Sequence, residues 1–278
     1  MEAAKPSRTA YRVALRRAVH QLIDNPRVFD DPLAIPIVGS DAASKAAKED
    51  PLASRSLRAF IAVRSRYAED RLAKAMEDGV RQYVLLGAGL DTFAYRSPHP
   101  GLGVFEVDHP ATQQWKRERL QEAGIPIPRD VVFVAVDFER QTISERLQQA
   151  GFQVGQSMFC SWLGVVPYLT EKAFEITLEF LASMSPGSGL VFDYAVPRSA
   201  LNPVEQAAFD ALATRVASVG EPFQLFLDPP ELTTKLHRMG FNNVEDLGVA
   251  EINSRYFAHR ADGLSVAGRS AHLLCGRI

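Results

Sequence analysis

The stretch that most constrains this chain of 278 residues is Tyr83-Val84-Leu85-Leu86-Gly87-Ala88-Gly89-Leu90-Asp91-Thr92. Four residues of strand character run into a turn with glycine at positions 87 and 89, and Leu90, Phe93 and Ala94 then begin a helical spacing. A strand ending on Gly-x-Gly is how an α/β sheet brings backbone close to a nucleotide-like ligand. Two glycines also serve in plain tight turns, so the flanking segments decide the meaning of this one.

Residues 1–79 read as helical. Tyr11, Ala14, Leu15, Ala18 and Leu22 recur at helical spacing up to Asn25-Pro26. Asp30-Asp31-Pro32 marks a turn or a helix start, with proline at a tolerated first position. The polar, alanine-rich run 40–50 predicts a surface helix. A longer one is expected over 57–76, with Phe60, Ile61, Val63, Tyr67 and Leu72 apolar and Gly79 as its stop. No Gly/Ser-rich linker follows. The region is therefore read as a helical cap on a core of residues 80–278, within one domain.

From residue 80 strands and helices alternate, which argues for a parallel sheet wound on both faces. Strands are expected at 83–86, 103–107, 131–136, 157–162 and 189–194, with helices at 111–123, 143–150 and 171–184. The β-branched run 131–136 has the composition of a buried parallel strand. A helix over 203–219 is more than the alternation requires, and is a candidate lid or wall over a substrate. After a helix at 229–239 come strands at 244–249 and 272–275. No helix is recognised before the last strand, which is expected to be antiparallel. The fold class is thus α/β, a doubly wound and mostly parallel seven-stranded sheet.

Composition limits the partners. With 46% hydrophobic residues, 23% charged and a net charge of −2, the chain can bury a large core and has no bulk attraction for nucleic acid or membrane. The arginines between Arg8 and Arg17 are followed closely by Asp24, Asp30 and Asp31. Cys160 and Cys275 each sit in an apolar run, as buried free thiols of a reducing compartment do. The N-terminus lacks the apolar core of a signal peptide, and no apolar run reaches membrane-span length. A cytoplasmic protein is expected, and no metal site.

The ends of the next strands give the glycine turn its context. Strand two ends in Phe105-Glu106-Val107-Asp108, roughly 20 residues beyond the turn, where an acid can accept from both ribose hydroxyls. Glu106 and Asp108 point the same way on a strand, so either could serve. Strand three ends in Val136-Asp137-Phe138. A carboxylate followed by an aromatic ring suits adenine: the acid accepts from the amine and the ring packs on Phe138. A diphosphate site prefers a third glycine where this chain has Thr92, and Asp91 beside the turn repels phosphate. S-adenosylmethionine has no phosphate and tolerates that acidity, but its carboxylate needs a cation such as an arginine.

These residues, with Val63-Arg64-Ser65-Arg66-Tyr67, Tyr95-Arg96, His109-Pro110, Ser7-Arg8-Thr9-Ala10 and Phe29-Asp30-Asp31-Pro32, resemble the leucine carboxyl methyltransferase family over roughly residues 7–195. The similarity is greatest to its bacterial branch of S-adenosylmethionine-dependent methyltransferases, many linked to polyketide-type products. The resemblance implies a Rossmann-like class I methyltransferase fold, S-adenosylmethionine as cofactor and a small-molecule methyl acceptor. It also implies a site: Arg64 for the methionine carboxylate, Gly87 with Ala88 and Gly89 along methionine and ribose, Asp108 for the ribose, and Asp137 with Phe138 for adenine. One segment departs from the family pattern. Where relatives often read Glu-Gly-x-x-x-Tyr-Leu, this chain has Leu163-Gly164-Val165-Val166-Pro167-Tyr168-Leu169, with Leu163 in place of the acid.

Methyl transfer to a carboxylate needs no base at neutral pH, whereas a hydroxyl acceptor needs one within hydrogen-bond reach. His109, Tyr168, Asp193, Tyr194 and Tyr256 are candidates, and the sequence does not choose among them. Arg255, Tyr256 and Arg260 form either a salt-bridged loop or a group reaching into the substrate pocket. Three other readings compete with an O-methyltransferase of small molecules. They are a protein carboxyl methyltransferase, a nicotinamide-dependent oxidoreductase, and a non-catalytic protein that keeps the cofactor fold. Leu163 favours the last; Thr92 and Asp137-Phe138 speak against the oxidoreductase.

Overall fold

Ser7 starts the first helix: its hydroxyl accepts from the Ala10 amide at 3.1 Å, satisfying one of the donors that a helix N-terminus leaves open. The cap then consists of α1 (Arg8–Ile23), α2 (Ala34–Val38), α3 (Ser40–Lys48) and α4 (Arg55–Glu77). The computed structural model describes residues 7–136 and 141–278. Ala14, Ala18, Ala34, Ile37 and Ala43 are buried together, the four alanines letting the first three helices approach closely around Ile37. Along α3 only Ala43 is buried, as its polar composition predicts. The long α4 buries Phe60, Val63, Tyr67 and Leu72 against the sheet, so it belongs to the core as much as to the cap.

The strands are β1 (Gln82–Leu86), β2 (Gly103–Asp108), β3 (Val131–Ala135), β4 (Met158–Trp162), β5 (Gly189–Ala195), β6 (Asn243–Leu247) and β7 (Ala271–Arg277). Among the described residues these seven form one sheet in the order β3-β2-β1-β4-β5-β7-β6. The first five are parallel, and β7 lies antiparallel between β5 and β6. The expected α/β class, with a mostly parallel sheet and an antiparallel last strand, is the observed one. Helices α5 (Pro110–Glu122), α6 (Ile143–Gln149), α7 (Glu171–Ala182), α8 (Pro203–Ala217), α9 (Pro229–Arg238) and α10 (Val249–Tyr256) complete the fold. Residues of α6, α7 and α9 pack on one face, and those of α4 and α10 on the other.

Three expectations fail locally. No helix continues from the glycine turn beyond a single 3₁₀ turn at Phe93–Tyr95. Asp91 Oδ1 takes the Phe93 amide at 2.8 Å, and Pro98, Pro100 and Gly101 then prevent a helix from propagating. Strand β3 is an edge strand in which only Val134 is fully buried, because nothing pairs beyond it among the described residues. Finally, a helix does separate the last two strands. α10 is short, and only Ile252 in it is buried, so it lacked a long apolar stripe to betray it.

Parallel register aligns the C-terminal ends that matter. Leu86 lies opposite Val107, and Leu85 opposite Ser161, so the loops after β1, β2 and β4 leave the same edge side by side. Strand order reverses between β1 and β4, the switch point at which open α/β sheets leave a crevice. The cap is anchored beside it by Asp31, which is fully buried. Thr92 donates its hydroxyl to Asp31 Oδ2 at 2.7 Å, Arg96 Nε lies 3.2 Å from Oδ1, and Arg17 Nε lies 3.6 Å from Oδ2. Replacing Asp31 with Ala leaves buried guanidinium groups undercompensated. It is expected to lower unfolding stability by about 3 kcal/mol, read as a reduced urea midpoint at unchanged m-value.

Candidate active site

The glycine turn is clamped from three sides. The amides of Gly87 and Ala88 both donate to Val107 O, at 2.8 and 3.2 Å, tying the turn to the end of β2. Gly87 has φ +68°, and a Cβ there would lie 2.4 Å from Val165 Cγ2 in the loop after β4. Gly89, at φ +46°, would bring a Cβ to 3.2 Å from Ala10 of α1. Both positions therefore need glycine for backbone conformation, and position 87 also for space.

Asp108 closes the turn from the β2 side. Its Oδ2 accepts from the Gly89 amide at 2.6 Å and its Oδ1 from the His109 amide at 2.7 Å. Burial pushes its pKa above the usual range, while those two amides, Lys116 and His109 pull the other way. Glu106 does something else. Although strand alternation puts it on the same side as Asp108, it is fully buried and does not line the cavity. Its Oε2 lies 2.8 Å from Lys116 Nζ and accepts from the Tyr95 hydroxyl at 2.9 Å. As a ribose ligand Glu106 is thus set aside: two residues further into the strand, it is enclosed by α5 and the Tyr95 turn.

Arg64, from the middle of α4, forms the opposite wall. Its Nη1 bonds Asp193 Oδ2 at 2.9 Å, and Asp193 Oδ1 accepts the Gly164 amide at 2.5 Å. Gly164 has φ +69°, and a Cβ there would sit 2.7 Å from Arg64 Nη2. The guanidinium therefore lies against bare backbone. The sequence reading singled out Leu163 in this segment and passed over Gly164; the only signal was a glycine just beyond a strand end. Leu163 does line the cavity and packs against the α4 side of the core.

These groups surround a cavity of about 470 Å³, at the switch point. Arg64, Gly87, Ala88, Gly89 and Asp108 all line it. Asp137 and Phe138 lie outside the described residues. The cap contributes Ser7, Thr9, Ala10, Val13 and Arg17. The stretch after α8 supplies Gly220, Glu221, Pro222 and Gln224, so the expected wall is the segment following that helix, not the helix itself. It is pinned at both ends: the Thr9 amide donates to Glu221 Oε2 at 3.1 Å, and the Gln224 amide donates to Pro167 O at 2.7 Å.

Of the five candidate bases, only Tyr168 lines the cavity. Burial pushes its phenol up to about 12, so at neutral pH it is a proton donor. Asp193 is committed to Arg64 and Gly164. Tyr194 donates to Asp246, Tyr256 donates to Asp70, and His109 caps α5 by accepting the Ala111 amide. Arg255 pairs with Glu245, and Arg260 with Asp262 and Pro26 O. The group 255–260 is therefore a salt-bridged element away from the cavity.

The profile of the leucine carboxyl methyltransferase family matches residues 10–182. The chain is 32% identical to YktD of Bacillus subtilis, provisionally named an S-adenosyl-L-methionine-dependent methyltransferase, over 95% of this chain and 96% of that protein. The chain belongs to the leucine carboxyl methyltransferase family. A similarly named protein of Mycobacteroides abscessus is 35% identical over 82% of this chain and 78% of its own length. Among solved structures, a DUF574 family protein from Streptomyces avermitilis superposes with a TM-score of 0.59 at 17% identity, covering 94% of this chain and 96% of that one. A Thermobifida fusca protein provisionally titled a methyltransferase gives 0.58 at 17% identity, covering 99% and 96%. At that identity the likeness concerns the fold. The family match takes in Arg64, the glycine turn, Asp108 and Asp137, whereas Asp193 and the wall around Glu221 come from the chain beyond it.

The Glu106–Lys116 pair gives a testable consequence. Lys116→Met leaves a buried carboxylate without its cation and is expected to lower stability by about 3 kcal/mol at neutral pH, with Glu106→Gln/Lys116→Met recovering most of the loss. Burial already raises the Glu106 pKa, so its ionisation costs folding stability as pH rises through the folded value. The K116M defect should therefore shrink as pH falls through that range in urea melts, and a pH-independent defect would contradict this account.

Proposed function

We propose that this chain is an S-adenosylmethionine-dependent O-methyltransferase acting on a small-molecule acid or alcohol. The observation that carries the reading is the placement of Asp108 and Arg64 on opposite walls of one cavity, joined by the glycine turn. The donor set fits the cofactor. Asp108, held by two amides, retains lone pairs for ribose hydroxyls, and Arg64 offers a guanidinium to a carboxylate. Gly87 and Gly164 leave bare backbone where a Cβ would collide. Asp91 and Asp108 flank Gly89, which disfavours a diphosphate and hence a nicotinamide dinucleotide. When bound, the sulfonium supplies an electrophilic methyl group and departs as a neutral thioether.

The chain's own part is alignment and exclusion of water. Tyr168, Leu169, Thr177 and Gln224 line the rest of the cavity and form the acceptor's surroundings. Tyr168, protonated at neutral pH, can donate a hydrogen bond to an acceptor oxygen but cannot take its proton. That supports an acceptor oxygen already ionised, a carboxylate before an alcohol. The ordinary composition and the buried free cysteines support a cytoplasmic setting.

S-adenosylmethionine or S-adenosylhomocysteine should raise the melting temperature, and NAD or NADP should not; stabilisation by NAD alone would overturn the reading. Asp108→Ala should abolish the shift. So should Arg64→Ala/Asp193→Ala, a pair chosen so that no buried carboxylate is left unpartnered. Ribose hydroxyls bind the ionised form of Asp108, whose pKa burial raises. Cofactor affinity should therefore fall on acidification at a higher pH than an ordinary aspartate would give, and calorimetric titration across mildly acidic pH checks this.

A further inference from the structure

Beside the cavity stands a group of arginines that form no ion pair with a carboxylate among the described residues. Arg12 and Arg16 lie one turn apart on α1, adjacent to the cavity-lining Thr9 and Val13. Arg16 Nη1 donates to the carbonyl of Arg12 at 3.4 Å. Arg12 Nη1 and Arg16 Nε are buried and make no hydrogen bond. Arg215 is exposed in the last turn of α8, and Glu221, whose amide donates to Val216 O at 3.2 Å and whose Oε2 accepts the Thr9 amide, sets that turn beside the start of α1. Arg215 is near enough that its charge adds to burial in pushing the Arg16 pKa down. Asp50 also reaches Arg16 electrostatically, but its oxygens are engaged by Arg58 and Ser54. Tyr168, on the cavity wall, lies within the same field.

Buried donors without acceptors, and like charges brought together, both cost stability. Four other guanidinium groups at or beside the cap are paired: Arg17 with Asp91, Arg58 with Asp24, Arg64 with Asp193 and Arg96 with Glu69. Arg12, Arg16 and Arg215 depart from that pattern beside the joint between α1 and the segment leaving α8, where Glu221 Oε2 accepts the Thr9 amide. A guanidinium fork is the side chain best matched to an oxyanion; Arg12 and Arg16 hold two of them side by side here, and the charge of Arg215 reaches Arg16.

We infer that Arg12, Arg16 and Arg215 form a docking subsite for an oxyanion of the methyl acceptor, a carboxylate or phosphate gripped between α1 and α8. The methylated atom lies deeper, near Tyr168. The inference rests on the methyltransferase reading above and narrows it: the acceptor carries an anionic group. Such an acceptor bridges the cap and the segment after α8, the two elements already joined by Thr9 and Glu221.

The test uses the full chain saturated with S-adenosylhomocysteine and three probes of similar shape, namely benzoate, phenyl phosphate and uncharged benzamide. Each is titrated calorimetrically at constant ionic strength. At least one anion should bind and benzamide should not, and the better anion identifies the oxyanion preferred. That affinity should drop about tenfold or more in Arg16→Gln and in Arg215→Gln, with S-adenosylhomocysteine affinity retained. Arg215 is exposed on a helix, so its variant remains informative if Arg16→Gln fails to fold. Absence of anion binding, equal binding of benzamide, or unchanged anion affinity in Arg215→Gln overturns the inference and leaves the methyltransferase reading intact. Failure of the native chain to bind S-adenosylhomocysteine removes that reading, and the inference with it.

Discussion

The seam between cap and sheet is held by buried charge. Asp31 is fully enclosed and receives Thr92, Arg96 and Arg17, while Arg17 also donates to Leu90 O at 2.6 Å and to Asp91 at 3.3 Å. Burying ions adds little net stability, but a misplaced partner is expensive, so such a network specifies one arrangement above its neighbours. Here it specifies where α1 lies against the glycine turn. Since α1 supplies one wall of the cavity, the volume available to ligands depends on that seam.

The second constraint is close backbone approach. Gly87 passes under Val165, Gly89 under Ala10, and Gly164 under the Arg64 guanidinium. Each glycine lets a different element reach the switch point: the loop after β4, the cap, and α4. The electrostatics follow from the same crowding. Asp91 and Asp108, both half-buried, line the cavity within the field of Lys116, and Arg17 and Lys116 help to hold Asp91 below the usual carboxylate range although desolvation alone would raise it. An acidic rim around a glycine turn with Arg64 opposite suits a ligand that carries a diol and a carboxylate and no phosphate.

Periodicity made the order of elements readable. Alternating apolar runs and glycine stops identified the parallel strands, and the acid at the end of β2 was visible as Asp108. It could not separate Glu106 from Asp108, because alternation puts both on one side, and only the packing of α5 shows that Glu106 faces Lys116. Asp193 was readable as one candidate base in an apolar strand, and not as the partner of Arg64. Its pairing with Arg64 spans 129 positions of chain, which no local pattern encodes. The helix expected after the glycine turn failed because Asp91 satisfies the Phe93 amide locally and two prolines follow. Edge status of β3 was equally hidden, since a β-branched run looks alike wherever it lies in the sheet.

The amino-acid sequence by itself determined the fold class, the glycine turn and the presence of an acid at the end of β2, and the likeness of its motifs pointed to the family and to Arg64. The fold class, the turn and the acid follow from short-range rules, namely strand alternation, glycine at forced turns and an acid at a fixed distance, whereas Arg64 rests on the family resemblance alone. Tertiary structure alone decided the other half of the pocket. The wall at Glu221 and Gln224, the commitment of Asp193 to Arg64, and the gathering of Arg12, Arg16 and Arg215 all join segments far apart in the chain. Their positions come from packing around the switch point, a property of the folded sheet and of no single stretch. The Gly87-Ala88-Gly89 turn, which began as a local signal, thereby becomes the point at which the two halves meet.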